Sequence, residues 1–287
     1  MSEYTLKTIR KDNRTLQRLG KVLLYVVLIA LSMFTLIPFV WMLSASLKLD
    51  REVFAFPMKW IPETFHWENY VVIWTKVPML NYFKNTAIVA LSVTLIQTCT
   101  SSFAAYAFAK LHFRGRDTLF LCYIATIAVP WQTYMIPQFV EMRAFGLYDN
   151  LVAIMVLQAF SAFGVFLMRQ FYQGIPTDLC EAARIDGLSE YGIWARIMLP
   201  LSKAAIATLV IFTFIGTWND YMGPMIYLSR EEVKTVQVGL RRFIQENSSD
   251  YHLIMAASMV SLIPVSIVFL CLQKYFIEGI ATTGMKG

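Results

Sequence analysis

Five long stretches of the chain carry no charged side chain, and this feature constrains the fold more than any other. The charge-free runs are residues 22–47, 85–109, 118–140, 150–168 and 251–273. A bilayer core about 30 Å thick needs about 20 residues of α-helix, at about 1.5 Å per residue. Because lipid offers the backbone no hydrogen-bond partners, each run is predicted to be a membrane-spanning helix.

A sixth, shorter run covers residues 204–219 and continues past Asp220 to Ser229. We interpret it as a span that contains one acidic residue. The sequence therefore predicts an all-α integral membrane protein whose transmembrane domain covers residues 22–277. Its six spans are expected at about residues 22–46, 85–109, 118–141, 150–172, 202–228 and 252–275.

The composition agrees with a membrane protein and argues against other classes. Hydrophobic residues make up 57% of the chain and charged residues only 15%, whereas soluble domains carry roughly 25% charged residues. The net charge is +6. In a membrane protein, such an excess is typical of cytoplasmic loops, so we expect lipid and no nucleic acid as a partner. The four cysteines and three histidines show no metal-ligand spacing, and no metal site is expected.

Basic residues also predict the orientation of the chain. Six of them precede the first span, so residues 1–21 are predicted to be a cytoplasmic amino-terminal segment. With six spans, the tail at residues 278–287 falls on the same side. We therefore expect a multi-pass protein of a bacterial cytoplasmic membrane with both termini in the cytoplasm.

Small residues and prolines predict features within the spans. Ser101, Ala105 and Ala109 recur at every fourth position of the second span, and this pattern allows close contact between helices in lipid. Pro130 and Pro137 lie in the third span. Since proline removes a helical hydrogen bond, we expect this span to bend.

The polar segment between spans four and five, residues 173–203, is more than a linker. Asp178 is predicted to cap a short helix, with Glu181 completing a capping box. Gly187 ends that helix, and Ser189 caps a second one. Four apolar side chains are expected on the surface of this segment, where they favour contact with a partner: Leu179, Ala183, Leu188 and Trp194.

This segment resembles a known motif. Residues 181–187 read Glu-Ala-Ala-Arg-Ile-Asp-Gly, and Ile197, Leu199 and Pro200 follow. Together they resemble the EAA loop of permease subunits in bacterial ABC importers. Further motifs are similar to one branch, the maltose-type sugar permeases, and lie at residues 105–110, 113–115, 130–137, 218–221 and 273–287. One departure is Ala204, where this branch usually has proline.

The resemblance implies how such a subunit works. The loop docks into an ATPase subunit, and the residues that carry this role over are Glu181, Ala182, Ala183, Asp186 and Gly187. The implied partners are a second, different permease subunit, a dimer of ATP-binding ATPase subunits and an extracytoplasmic solute-binding protein. The sequence contains no GxxxxGK[ST] phosphate loop. We therefore expect a transport subunit that is not an enzyme and has no cofactor of its own, with ATP-Mg bound by the ATPase.

Polar residues within the spans predict a substrate path. Asp220 is expected to face a cavity or a partner, because charge is costly inside a membrane. Trp218 and Asn219 adjoin it, and Gln132 and Gln158 lie in spans three and four. An aromatic face beside amide and carboxylate groups suits a sugar. A second interpretation places Asp220 near the outer end of its helix, among lipid headgroups.

Other functions remain open at this stage. The first alternative is an ABC permease for another polar solute, such as a glycerol phosphate. A second is an ion-driven secondary transporter, although no second copy of the EAA-like or Trp-Asn-Asp segment is found. A third is a membrane-embedded enzyme, which the absence of a catalytic motif disfavours.

Overall fold

The computed structural model describes residues 3–244 and 250–284, and side chains are described at residues 18–244, 250–275 and 277. Within this part of the chain the protein is all-helical, without β-strands. Its α-helices are α1 Glu3–Ser46, α2 Asp50–Val53, α3 Asn69–Lys76, α4 Met79–Lys110, α5 Arg116–Ala125, α6 Met135–Ala144, α7 Leu151–Leu157, α8 Ala162–Gln173, α9 Asp178–Ile185, α10 Glu190–Ile193, α11 Leu199–Leu201, α12 Lys203–Trp218, α13 Met222–Tyr227, α14 Val236–Gly239 and α15 Tyr251–Gly284.

Three single helices are long and apolar enough to cross a membrane within the described residues. They are Arg18–Ser46, Met79–Lys110 and Tyr251–Tyr275. Two helix pairs also qualify if each is one bent span: α7 with α8, bent by 44°, and the segment Glu190–Leu201 with α12, bent by 84°. Length and composition therefore give three to five spans.

The predicted third span is not a continuous helix. It consists of α5, two short 3₁₀ turns at Thr126–Ala128 and Trp131–Thr133, and α6. The chain is extended at Val129 and Pro130, because proline lacks the N–H that would continue the helix and forces its predecessor out of the helical region. The bend expected at Pro130 is thus a complete break.

The chain folds as two compact units, and the smaller one covers residues 1–70 and 250–259. In it, the Asn69 amide closes the turn after α1 by donating to the carbonyl oxygens of Ser46 and Lys48, both at 2.9 Å. The buried ammonium of Lys48 donates to the carbonyl of Lys59. The amino-terminal segment predicted at residues 1–21 enters α1 without a break after residue 3.

The larger unit covers residues 71–249 and 260–287 and is organised around α4. This helix packs against α8 and α12. Ser101 and Ala105 are buried, and a Cβ atom built on Gly164 of α8 would lie 2.4 Å from Ser101 Oγ. The predicted small-residue contact is therefore confirmed, and α8 meets α4 so closely that any side chain at Gly164 would force its neighbours to shift.

The predicted tail at residues 278–287 lies partly outside the described residues. Helix α15 continues to Gly284, and Met285, Lys286 and Gly287 are not described.

Candidate coupling segment and polar cavity

The segment at residues 173–203 forms a helix, a glycine turn and a second helix, as predicted. Helix α9 ends at Ile185, and Gly187 has a φ of +83°. Such a left-handed conformation suits glycine, which has no Cβ. The N–H groups of Gly187 and Leu188 close the helix by donating to the carbonyl oxygens of Arg184 and Ala183, at 3.0 and 2.9 Å. Ser189 then caps α10 by accepting from the N–H of Gly192.

Two details of the prediction are wrong. Thr177, not Asp178, is the N-cap of α9, and no side chain caps this helix, so the predicted capping box with Glu181 is absent. The reason is that Thr177 is itself helical, which makes Asp178 the first residue of the helix. The charges of Asp178 and Glu181 still lie in the first turn, where they interact favourably with the helix dipole.

The apolar surface also differs from the prediction. Ala183 is buried, and Leu188 and Trp194 pack against the same apolar cluster, which joins the coupling segment to α4 and α8. Leu179 remains exposed as predicted, and Ile185 and Tyr191 are exposed in addition. Of the five predicted docking residues, Glu181, Ala182, Asp186 and Gly187 lie on the surface and Ala183 does not.

Polar contacts anchor the coupling segment to the end of α4. The hydroxyl of Tyr106 donates to Glu190 Oε2, and Arg184 donates to both oxygens of the same carboxylate, at 2.6 and 3.2 Å. The guanidinium of Arg184 lowers the pKa of Glu190 below its ordinary value. The buried ammonium of Lys110 donates to the carbonyl of Ile175. None of these anchors was predicted.

A second candidate site lies where two helix breaks meet. Gln158 follows the last residue of α7, and Asp220 lies between α12 and α13. Gln158 Nε2 donates to Asp220 Oδ2 at 2.8 Å, and the Thr217 hydroxyl donates to Gln158 Oε1 at 2.9 Å. The N–H of Gly223 donates to Asp220 Oδ1 at 3.1 Å. Asp220 therefore binds the first turn of α13 as well as Gln158.

This polar chain continues into α4. Gln97 Nε2 donates to the carbonyl of Gln158 at 3.2 Å, and Gln97 Oε1 accepts from the hydroxyl of Thr213. Gln97 was missed at the sequence level, although an amide in the middle of an apolar run is a signal that can be read.

A cavity of about 250 Å³ adjoins Asp220. It is lined by Trp131, Tyr134, Gln138, Ile154, Leu157, Gln158, Asp220, Gly223 and Tyr227. Two predicted substrate-path residues, Gln158 and Asp220, thus line one cavity.

The other three predicted substrate-path residues do not line this cavity. Gln132 is exposed and is not a lining residue of this cavity. Asn219 accepts from Gln237 Nε2 at 3.1 Å. Trp218 is buried, stacks on Phe214 and donates from Nε1 to the carbonyl of Ser261 at 3.1 Å. Its position in an apolar cluster is that of a packing residue.

Comparisons with known proteins agree with this architecture. A crystal structure of a bacterial ABC transporter involved in import of the acidic polysaccharide alginate matches with a TM-score of 0.79 and 27% identity, over 90% of this chain and 97% of that one. Among curated proteins, the arabinooligosaccharides transport system permease protein AraQ of Bacillus subtilis is 31% identical over 260 residues, which are 90% of this chain and 92% of the relative.

The melibiose/raffinose/stachyose import permease protein MelC, also of Bacillus subtilis, is 33% identical over 261 residues, 88% of this chain and 91% of that one. Residues 97–282 match the family model described as binding-protein-dependent transport system inner membrane component. This match includes the coupling segment, both helix breaks and the cavity. The chain therefore belongs to the family of inner membrane permease components of binding-protein-dependent ABC transport systems.

Proposed function

We propose that this chain is the permease subunit of an ATP-driven importer for an oligosaccharide or glycoside, and that the segment at residues 173–203 couples it to an ATPase. The observation that carries the proposal is the exposed helix α9 with its Gly187 turn, fixed to α4 by Tyr106 and Lys110. A short, rigidly held surface helix suits docking into a groove of a partner.

Several groups on this helix can bind an ATPase subunit. The carboxylates of Glu181 and Asp186 are exposed and can pair with basic side chains. Ala182 leaves room for close approach, and the exposed Ile185 adds apolar contact. We propose Glu181, Ala182, Asp186 and Gly187 as the docking set, with ATP-Mg bound by the partner.

The sugar class is supported by the names of the relatives, AraQ and MelC, which refer to oligosaccharides. For the path of the substrate we propose Gln158 and Asp220, which share one cavity. A second permease subunit and an extracytoplasmic solute-binding protein complete the proposed complex.

The proposed topology has six spans with both termini in the cytoplasm. Besides the three long helices and the α7–α8 pair, it counts α12 with α13, and α5 with α6, each as one broken span. A break at membrane depth is tolerated where it faces protein or a cavity, and Trp131, Tyr134 and Gln138 around this break do line the cavity.

A charge reversal tests the coupling role. We expect Glu181→Lys to insert and assemble normally but to reduce ATP-driven sugar uptake by native membrane vesicles at least tenfold, because the lysine would repel the basic side chains that Glu181 is proposed to pair with. The matched control is Glu63→Lys, an exposed glutamate far from the coupling segment in sequence. Cysteine crosslinking from Ala182→Cys is expected to reach the ATPase subunit. Full uptake by Glu181→Lys, or no crosslink to an ATPase, contradicts the proposal.

A further inference from the structure

The cavity beside Asp220 has the size of a small subsite. Its volume is about 250 Å³, below the roughly 300–1,000 Å³ typical of pockets for drug-sized ligands. It therefore has room for one ring of an oligosaccharide and not for several rings at once. Its walls come from three separate broken regions of the chain: the residues around Pro130, the α7–α8 break and the α12–α13 break.

The cavity offers hydrogen-bond donors that the protein leaves unused. Gln138 Oε1 is held by Trp131 Nε1 at 2.9 Å, while Gln138 Nε2 has no acceptor among the described residues. The hydroxyl of Tyr134 likewise has no partner in the described part of the chain. Both groups line the cavity, so each can donate to a hydroxyl oxygen of a bound molecule.

Acceptors are supplied by Asp220. Each of its oxygens already accepts one N–H, from Gln158 or from Gly223. An ionised carboxylate has about four acceptor positions, so both oxygens can still accept from ligand hydroxyls. These two existing bonds fix the carboxylate in place before a ligand arrives.

Aromatic rings form the remaining walls. Trp131, Tyr134 and Tyr227 line the cavity together with the apolar Ile154 and Leu157. The bond to Gln138 holds the Trp131 ring in one orientation. A rigid aromatic surface beside a fixed carboxylate matches the two sides of a sugar, namely the C–H face of the ring and its hydroxyl edge.

The charge of the cavity restricts which sugar can bind. Among the described residues, Asp220 is the one ionisable acid or base other than tyrosine that lines it, and no Lys, Arg or His does. A bound carboxylate or phosphate would face Asp220 without a compensating cation, which is unfavourable in a partly buried site. We propose that this cavity is a subsite for a single uncharged sugar ring and that Asp220 rejects acidic sugars and phosphorylated solutes.

This inference rests on the proposed function and narrows it. It favours a neutral oligosaccharide or glycoside over a glycerol phosphate as the cargo. It also distinguishes this chain from the structurally similar transporter, which is involved in the import of an acidic polysaccharide.

The test is direct binding of sugars to the assembled transporter. The solute-binding protein is omitted, so that the measured Kd is that of the transporter's permease subunits. Tryptophan fluorescence is titrated with two neutral probes, raffinose and arabinotriose, and with two anionic probes, trigalacturonate and glycerol 3-phosphate. We expect a saturable change with at least one neutral probe and none with the anionic ones. The signal is expected to disappear in Trp131→Phe.

Three variants then test the named groups. Gln138→Leu and Tyr134→Phe each remove one donor and are expected to raise Kd for the neutral probe about 3- to 10-fold. Asp220→Asn is expected to weaken neutral binding and to reduce the preference over trigalacturonate at least fivefold. Thr133→Ala is the matched control, because its exposed hydroxyl bonds to the carbonyl of Pro130 and does not line the cavity.

Failure of this inference and failure of the proposed function give different results. If Gln138→Leu and Tyr134→Phe bind the neutral probe like the wild type while ATP-driven sugar uptake persists, the subsite is wrong and the proposed function stands. Saturable binding of an anionic probe at the wild-type cavity also overturns the subsite. If ATP-driven uptake of sugars is absent in the complete transporter, both proposals fail.

Discussion

Gln158 and Asp220 join two helix breaks through one hydrogen bond of 2.8 Å. Gln158 lies between α7 and α8, and Asp220 lies between α12 and α13. Each break frees backbone groups that a continuous helix would satisfy, and Asp220 replaces part of what is lost by accepting from the N–H of Gly223. Gln158 also accepts from Thr217 through its side chain and from Gln97 through its backbone carbonyl, so this residue connects the end of α7 with α4 and α12.

We expect Gln158→Leu to destabilise the protein by about 1–3 kcal/mol, because it leaves the Thr217 hydroxyl and one oxygen of Asp220 without a partner. The measurement is thermal unfolding of the purified protein in detergent. Gln132→Leu is the matched control, since Gln132 is exposed, and it is expected to change the midpoint little. Equal effects of the two variants would show that the amide network does not stabilise the breaks.

We expect Gly164→Ala to lower the thermal midpoint, because its Cβ would lie 2.4 Å from Ser101 Oγ and 3.1 Å from Leu209 Cδ1. The loss is expected to be about 1–3 kcal/mol, as for other overpacked cores. The double variant Ser101→Gly with Gly164→Ala removes the nearest clash. It is expected to recover part of the loss, whereas additive damage from the two changes would argue against a tight α4–α8 contact.

The turn at Gly187 provides a test without a steric clash. A Cβ at this position meets nothing within 4 Å, yet φ is +83°. We therefore expect Gly187→Ala to cost about 1–2 kcal/mol from backbone strain alone, measured as local hydrogen exchange at residues 178–193. Gly20→Ala, in the interior of α1 with equally open space, is the control and is expected to be neutral or slightly stabilising.

Tyr106→Phe is expected to weaken coupling while leaving the fold intact. It removes only the hydroxyl that donates to Glu190, and the ring remains in the apolar cluster. We predict a severalfold fall in sugar transported per ATP hydrolysed, measured in proteoliposomes. Tyr148→Phe, which changes a tyrosine outside the coupling segment, serves as the control. An unchanged ratio in Tyr106→Phe would show that this contact has no role in coupling.

Glu231 is expected to make the loop after α13 sensitive to acid. Arg242, Tyr82 and Lys234 all donate to its carboxylate, and the bond from Arg242 contributes most to lowering its pKa to about 2. A carboxyl whose pKa is lowered by folding stabilises the native state above its unfolded pKa of about 4.3. That contribution is lost as the pH falls from about 4.3 towards 2.

The test is thermal unfolding of wild type and Glu231→Gln between pH 3 and pH 7. The wild type is expected to unfold at the higher temperature at pH 7, and the difference is expected to shrink below about pH 4.3. A difference that does not depend on pH would rule out the charge of Glu231 as its cause.

The helical class and the coupling segment could be predicted from sequence because their signals are local. Charge-free length indicates a span, and Gly187 and Ser189 mark the ends of short helices. The break at Pro130 could be predicted in part, as a bend, because proline is likewise a local signal. The break between α7 and α8 could not be predicted from sequence, since residues 158–161 contain neither proline nor glycine.

The cavity was harder to predict because neighbours in sequence do not share a face of a helix. Trp218 and Asp220 are two residues apart, which is about 200° around a helix of 3.6 residues per turn. Trp218 consequently packs against Phe214, while Asp220 meets Gln158. Tyr134 and Gln138 are far in sequence from Tyr227, and only the folded arrangement brings these two parts of the chain together.

Helix α4 is held at both of its ends. Tyr106 and Lys110 fix one end to the coupling segment. Near the other end, Asn85 donates to the carbonyl oxygens of Glu232 and Lys234. The helix has 32 residues without a break, so it is about 48 Å long. Coupling free energies are reciprocal. If a displacement of residues 173–203 changes the affinity of the loop at residues 231–234 for a partner, binding of that partner must therefore favour the same displacement to the same degree.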